Sequence, residues 1–172
     1  MSALKIVDYQ PVHQPFFDAL NRAWIQEWFQ MEAVDEWGLT NPDKALLEPG
    51  GAIFMAEWEG KPVGTVALRK VEEGCYEFTK MAVDPAYRRR GIAEELTKAS
   101  FLHAAVLGAK EIILYSNTKN EAAVRLYERI GFHHLPVEPG VYERANVKMR
   151  ISIEDALRIC EPSLTISTTV KS

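Results

Sequence analysis

Arg88, Arg89 and Arg90 stand directly before Gly91, Ile92 and Ala93, where the periodicity of the chain changes. Residues 75 to 83, CYEFTKMAV, are strand formers without Gly or Pro. Asp84-Pro85 ends that run, and apolar residues at helical spacing begin after Gly91. The first turn of a helix leaves backbone N–H groups without intrahelical partners, and its dipole favours negative charge by roughly 0.3–1 kcal/mol. Among three cations, with small residues at Gly91 and Ala93 opening the main chain to close approach, such a junction suits phosphate. Taken alone, an arginine run is more often a solvated surface.

A second constellation follows at Asn120 to Phe132, NEAAVRLYERIGF. Asn120 and Tyr127 are seven residues apart, almost two helical turns, and share one side of a helix. Together the two stretches resemble the GNAT superfamily of acyl-CoA-dependent N-acetyltransferases. Arg88, Gly91 and Ala93 match its Arg/Gln-x-x-Gly-x-Gly/Ala turn, and Asn120, Ala123 and Tyr127 match its Asn-x-x-Ala-x-x-x-Tyr helix, which runs on to Gly131-Phe132. The resemblance spans roughly residues 4 to 151. It implies acetyl-CoA as cofactor, with its pyrophosphate cradled by Arg88, Arg89, Arg90, Gly91, Ile92 and Ala93. It also implies that Asn120 and Ala123 meet the cofactor arm and that Tyr127 acts as general acid for the departing thiolate. In that family the fourth strand splays from the fifth and its backbone pairs with pantetheine. Carried over, this assigns Met81, Ala82 and Val83 to the cofactor, with an N–H among them polarising the thioester carbonyl. A β-bulge often makes such a splay, but no residue pattern here announces one.

An aliphatic amine with a pKa of about 10.4 must lose a proton before it can attack a thioester, at a cost on the order of 4–5 kcal/mol at neutral pH. Glu77, between Tyr76 and Phe78 in the strand before the basic turn, is the candidate base, and in the resembled family a Glu near this place acts directly or through water. The alternative is a strand Glu that is exposed or ion-paired, with Lys80 as partner. For Tyr127 the alternative is a core tyrosine with a satisfied hydroxyl.

Candidates for the acceptor side come from both ends of the chain. Phe17, Leu20, Trp24, Trp28 and Met31 recur at three- and four-residue steps, an apolar helical face, and Glu32, Asp35 and Glu36 follow. The resemblance implies that this region walls the acceptor pocket, which nominates Trp24 and Glu32. Residues 141 to 153 read as a long alternating strand with Tyr142, Arg144 and Asn146 on one face. The runs YERANVKM and EFTKMAV resemble a subgroup of small bacterial GNAT proteins. Arg144 suits a bidentate carboxylate, so the expected acceptor is a small-molecule amine, an amino-acid-like zwitterion in particular. Two other functions stay open: a protein or peptide N-acetyltransferase, and a non-catalytic acyl-CoA-binding regulatory domain.

These residues need a sheet to position them. Strands are expected over 4–9, 52–58, 63–71, 75–83, 111–115, 132–136 and 141–153. Helices are expected from Pro11, over 91–107, and from a Thr118-x-x-Glu121 capping box to Gly131. Antiparallel neighbours followed by alternating strands and helices describe an α+β fold, which the resemblance sharpens to a mixed, mostly antiparallel GNAT-like sheet flanked by helices in three layers. The expected division is a domain over 1–151 and, over 152–172, a short helix capped by Ser152 followed by a flexible tail.

Composition narrows the function classes. With 172 residues, 47% hydrophobic and 26% charged, the chain is long enough for one core, and its net charge of −4 argues against general nucleic-acid affinity. The absence of a membrane-length apolar run or a signal-like start predicts a cytoplasmic protein without membrane attachment. Cys75 and Cys160 are too far apart for a metal or redox motif and are expected as free thiols. His13, His103, His133 and His134 lack companions at ligand spacing, so no metal is expected. Monomer and homodimer are both compatible with the sequence.

Overall fold

The computed structural model describes residues 3–138 and 144–161. Strand β1 (Leu4–Asp8) leads through a 3-10 turn into α1 (Gln14–Trp28) and α2 (Ala33–Thr40). A π-helical turn at Asp43–Leu47 precedes β2 (Ala52–Trp58), β3 (Lys61–Glu72) and β4 (Cys75–Val83). Then come α3 (Ile92–Val106), β5 (Glu111–Ser116), α4 (Glu121–Ile130), β6 (His133–Leu135), β7 (Val147–Ser152) and α5 (Ile153–Ile159). The strands form one sheet in the order β1-β2-β3-β4-β5-β7-β6, antiparallel throughout except for the parallel pair β4/β5. This is the mixed, mostly antiparallel α+β architecture expected.

Period-two alternation divides the core between the two faces. Ala52, Phe54 and Ala56 of β2 face a large apolar cluster that includes Leu96, Phe101 and Ala104 of α3 and Ala156 of α5. Ile53 and Met55 face a smaller cluster with Phe17 and Ile25 of α1 and Leu39 of α2. Helices on both sides of the sheet give three layers. Helix α3 lies close because Gly64 opposes it: a Cβ there would stand 3.1 Å from Ile92 Cγ2 and 3.2 Å from Leu96 Cδ1. The β2–β3 hairpin turns through Glu59 and Gly60, both at positive φ, as a two-residue loop of this hand requires.

Three expectations need correction. The buried positions of α1 are Phe17, Asn21 and Ile25; Leu20 and Trp24 face a cavity, Trp28 is 44% exposed, and the helix stops at Trp28, short of Met31. The acidic stretch after it forms a further helix, α2, capped when the Asp35 carboxylate accepts from the Glu32 N–H at 3.0 Å. Helix α4 is capped by Asn120, whose Oδ1 accepts from Ala123 N–H at 3.3 Å, and the Thr118 N–H donates instead to Asn146 Oδ1. Strand β7 starts at Val147, so Arg144 and Asn146 lie in the turn before it and share no strand face. Tyr142 and the tail from residue 162 lie outside the described residues. The last helix follows Ser152 as expected, with Ser152 Oγ accepting from Asp155 N–H at 3.2 Å.

Candidate active site

The site begins where two neighbouring strands part. Parallel pairing of β4 with β5 covers only Cys75, Tyr76 and Glu77, ending at Glu77 opposite Ile113. Two residues farther on, β4 carries a bulge against β3. Thr79 pairs with Ala67 and Ala82 with Thr65, which leaves Lys80 and Met81 together opposite Val66. Lys80 has a φ of +56°, an uncommon conformation for a side chain of this kind, and it bends the strand locally. A cavity of about 500 Å³ fills the wedge, walled by Leu20 and Trp24 of α1, by Glu77 to Val83 of β4, by Leu114 to Ser116 of β5, and by Ala123 and Tyr127 of α4. Met81, Ala82 and Val83 therefore lie on the cavity wall, past the point where β5 pairs with their strand.

Glu77 is 1% exposed, and its Oε1 accepts from Arg69 Nε at 2.8 Å. The cross-strand partner is thus Arg69, which is opposite it in the β3–β4 register, and not Lys80. Tyr127 packs its ring edge-on against Phe78 at 5.8 Å and Phe132 at 6.0 Å. Burial pushes its phenol up to about 12, so the group stays protonated across the physiological range. Asn120 and Ala123 line the same cavity, with the Asn120 oxygen engaged at the helix cap.

The basic turn after β4 takes the shape the residues suggest. Asp84 Oδ1 accepts from Ala86 N–H at 2.9 Å, Arg89 and Gly91 adopt positive φ, and the Gly91 carbonyl accepts from Glu95 N–H to start α3. The N–H groups of the next residues, Ile92 and Ala93, precede any intrahelical acceptor. A Cβ built on Gly91 would meet nothing within 4 Å, so the turn is open at that residue. Arg88 lines the cavity. The Arg90 guanidinium lies 4.8 Å from the Trp58 ring and 5.0 Å from that of Tyr87, held by cation–π contact. The Ile92 side chain is buried in the core, so only its backbone can serve the turn.

On the acceptor side the structure regroups the expected residues. Arg144 grips Asp35 with both arms of its guanidinium, Nη1 to Oδ2 at 2.6 Å and Nη2 to Oδ1 at 2.8 Å, and Nη1 also donates to Glu32 Oε2 at 2.8 Å. Its fork is engaged within the protein by Asp35 and Glu32, and Arg144 also lines the cavity. Asp35 has no solvent exposure. Burial alone would raise its carboxyl, but the Arg144 hydrogen bonds, the Glu32 amide and the charges of Arg144 and Lys80 together hold it below the usual range. Glu32 borders a shallow groove beside the cavity, with Phe29, Lys119 and Arg144. Asn146 joins Thr118 through Nδ2 to Oγ1 at 3.2 Å and does not line the cavity.

Asp35, buried against Arg144, and Lys80, on the cavity wall, are ionisable groups near the site that sequence reading did not select as site residues. Lys80 would have been placed by strict strand alternation, which the bulge breaks. Among the described residues no cluster of three or more His, Cys, Asp or Glu could hold a metal, and no helix is long and apolar enough to cross a membrane.

The sequence matches the acetyltransferase (GNAT) family over residues 13–132. This chain belongs to the GNAT family. It is 38% identical over 93 residues to an N-acetylaspartate synthetase of Xenopus tropicalis, a match covering 54% of this chain and 34% of that protein. The chain thus spans about a third of that relative's length. The fold is similar to a GNAT-family acetyltransferase of Staphylococcus aureus Mu50, with a TM-score of 0.78 at 20% identity, covering 87% of this chain and 99% of the other. It is also similar to the YncA protein of Salmonella typhimurium, whose structure includes its cofactor acetyl-CoA, with a TM-score of 0.72 at 15% identity, covering 88% and 95%. A GNAT protein implies an acyl-CoA. The open space over Gly91, the first-turn amides of α3 and the part of β4 beyond its pairing with β5 fit such a group.

Proposed function

We propose that this GNAT protein is an acetyl-CoA-dependent N-acetyltransferase whose acceptor is the amine of a small molecule. The observation that supports the reading is the wedge between β4 and β5, a cavity that Glu77, Tyr127 and Arg88, the first residue of the basic turn, all line. A cavity of about 500 Å³ is of the size that takes small ligands. The relatives named N-acetylaspartate synthetase favour an amino-acid-like acceptor.

In this reading the residues at Arg88 to Ala93 hold the pyrophosphate, with backbone amides and the α3 dipole taking the charge. Met81, Ala82 and Val83 supply main-chain groups to the pantetheine arm, and Asn120 and Ala123 border it. Bound acetyl-CoA supplies an acyl group activated as a thioester. Glu77, oriented by Arg69, accepts the proton of the incoming ammonium, directly or through water. Tyr127 keeps its proton at neutral pH and donates a hydrogen bond where thiolate charge develops. Against a thiol pKa of about 8.5, a phenol near 12 makes complete transfer uphill by about 5 kcal/mol, so its contribution is charge stabilisation by a donor that is always loaded. Trp24 walls the acceptor end.

The test is acetyl transfer from labelled acetyl-CoA to a panel of small amines, with a lysine-containing peptide as comparison. Transfer to small amines that is lost in Glu77→Gln supports the proposal. Transfer to the peptide alone points to protein acetylation, and uptake of acetyl-CoA without transfer points to a binding domain.

A further inference from the structure

Lys80 is a cation held where little solvent reaches it and where the protein gives it few acceptors. Its side chain is 11% exposed and lines the cavity, and its nearest ion-pair partner among the described residues, Asp35, is 4.0 Å away. That distance is too long for a hydrogen bond, and the Asp35 oxygens already accept from both arms of Arg144 and from the Glu32 N–H. Glu77 is committed to Arg69. An ammonium has three donors, and a buried charge without hydrogen-bonded partners is costly unless something else completes it. Burial accordingly pushes the Lys80 ammonium below its ordinary value, with Asp35 and Glu77 drawing it back up and Arg144 and Arg69 lowering it further.

The bulge explains how the side chain comes to be there. Lys80 and Met81 together face one residue of β3, and the positive φ of Lys80 departs from regular strand geometry in the segment that walls the cavity. Strain kept at a cavity wall, on a side chain short of partners, marks a position shaped for a ligand.

We propose that Lys80 anchors a carboxylate on the acceptor, so that the acceptor is an amino acid or a closely similar amino carboxylate and not a simple amine. The proposal rests on the acetyltransferase reading and deepens it. A monoanion suits the place: Asp35 and Glu77 lie near enough to affect Lys80 and would oppose a more highly charged group such as phosphate. Arg144 has a different part, holding Asp35 beside Lys80. Lys80 is thereby a specificity-determining residue on the same strand as the candidate base.

The experiment compares amino acids with the amines left when their carboxyl group is removed, in wild type, Lys80→Met and Lys80→Arg. The wild type should prefer the amino acids, and Lys80→Met should lower their kcat/KM by about 10- to 100-fold more than it lowers that of the decarboxylated amines. Lys80→Arg should restore part of the preference. Equal use of both series by the wild type, or an equal loss of both in Lys80→Met, overturns the proposal. Calorimetry of N-acetyl amino acids against CoA-saturated protein supplies a readout independent of turnover. If no amine is acetylated, the acetyltransferase reading fails. Binding that needs both the carboxylate and Lys80 still upholds the anchor, and its absence overturns it.

Discussion

Arg144 and Asp35, 109 positions apart in the chain, are joined by two parallel hydrogen bonds of 2.6 and 2.8 Å. The contact ties the turn before β7 to the helix that follows α1, across the acceptor side of the cavity. One partner is fully buried and the other is 16% exposed on its side chain, so the pair is protected from the screening that weakens surface ion pairs.

Removing one half of that pair should cost more than an exposed ion pair would. Asp35→Asn is expected to destabilise the protein by about 3 kcal/mol at pH 7, because Arg144 then loses the fully buried one of its two carboxylate partners, Asp35 and Glu32. The native Asp35 carboxyl is held below its usual range, so its contribution is complete above about pH 4 and is lost as the pH falls through the depressed native value. Urea unfolding between pH 7 and pH 3 checks this: the difference between wild type and Asp35→Asn should shrink on the acid side.

Tyr127→Phe keeps the ring contacts to Phe78 and Phe132 and removes only the hydroxyl. Its kcat should fall by about 100-fold or more, with the KM for acetyl-CoA within about twofold of wild type. Because the native phenol sits near 12 against about 10 unfolded, the wild type loses on the order of 2 kcal/mol of stability as pH rises from 10 to 12. The variant lacks that loss. Steady-state kinetics and alkaline denaturation measure the two effects separately.

Glu77→Gln preserves the shape of the side chain and a hydrogen-bond acceptor for Arg69. A loss of about 100-fold or more in kcat/KM for the acceptor is expected. An Arg69→Gln variant separates chemistry from packing: it removes the same ion pair but leaves the carboxylate, so its activity should exceed that of Glu77→Gln.

At Gly91 the prediction concerns affinity. Alanine there meets no steric neighbour, yet a φ of +76° costs a Cβ-bearing residue about 1–2 kcal/mol and disturbs the turn that opens α3. Gly91→Ala should raise the KM for acetyl-CoA about tenfold or more with a fall in Tm of only a few degrees. A change in Tm without a change in KM would remove the phosphate assignment.

The elements most legible in the sequence were those fixed by local chemistry. The hairpin at Glu59-Gly60, the strand ending at Asp84-Pro85, the start of α3 at Gly91 and the Ser152 cap are set by turn and cap residues that act within a few positions. The acceptor side was less legible because tertiary contacts determine it. The alternation from Tyr142 to Asn146 suggested a strand, but Arg144 is drawn to Asp35 and Asn146 to Thr118, and the strand begins only after them. Thr118 matched a capping box, but Asn120, one residue before the helix, provides the nearer oxygen. Lys80 followed the period of its strand until a bulge broke it, and a bulge depends on what lies across the sheet.

The early parting of β4 from β5 has a mechanical consequence. A seven-stranded sheet is divided near its middle, joined there at only three residue pairs. Whatever fills that seam acts as a keystone between the two halves, so the loaded protein should breathe less than the empty one. Deuterium uptake at residues 81 to 83 and 114 to 116 would then report the average occupancy of the seam, with no chemical probe attached.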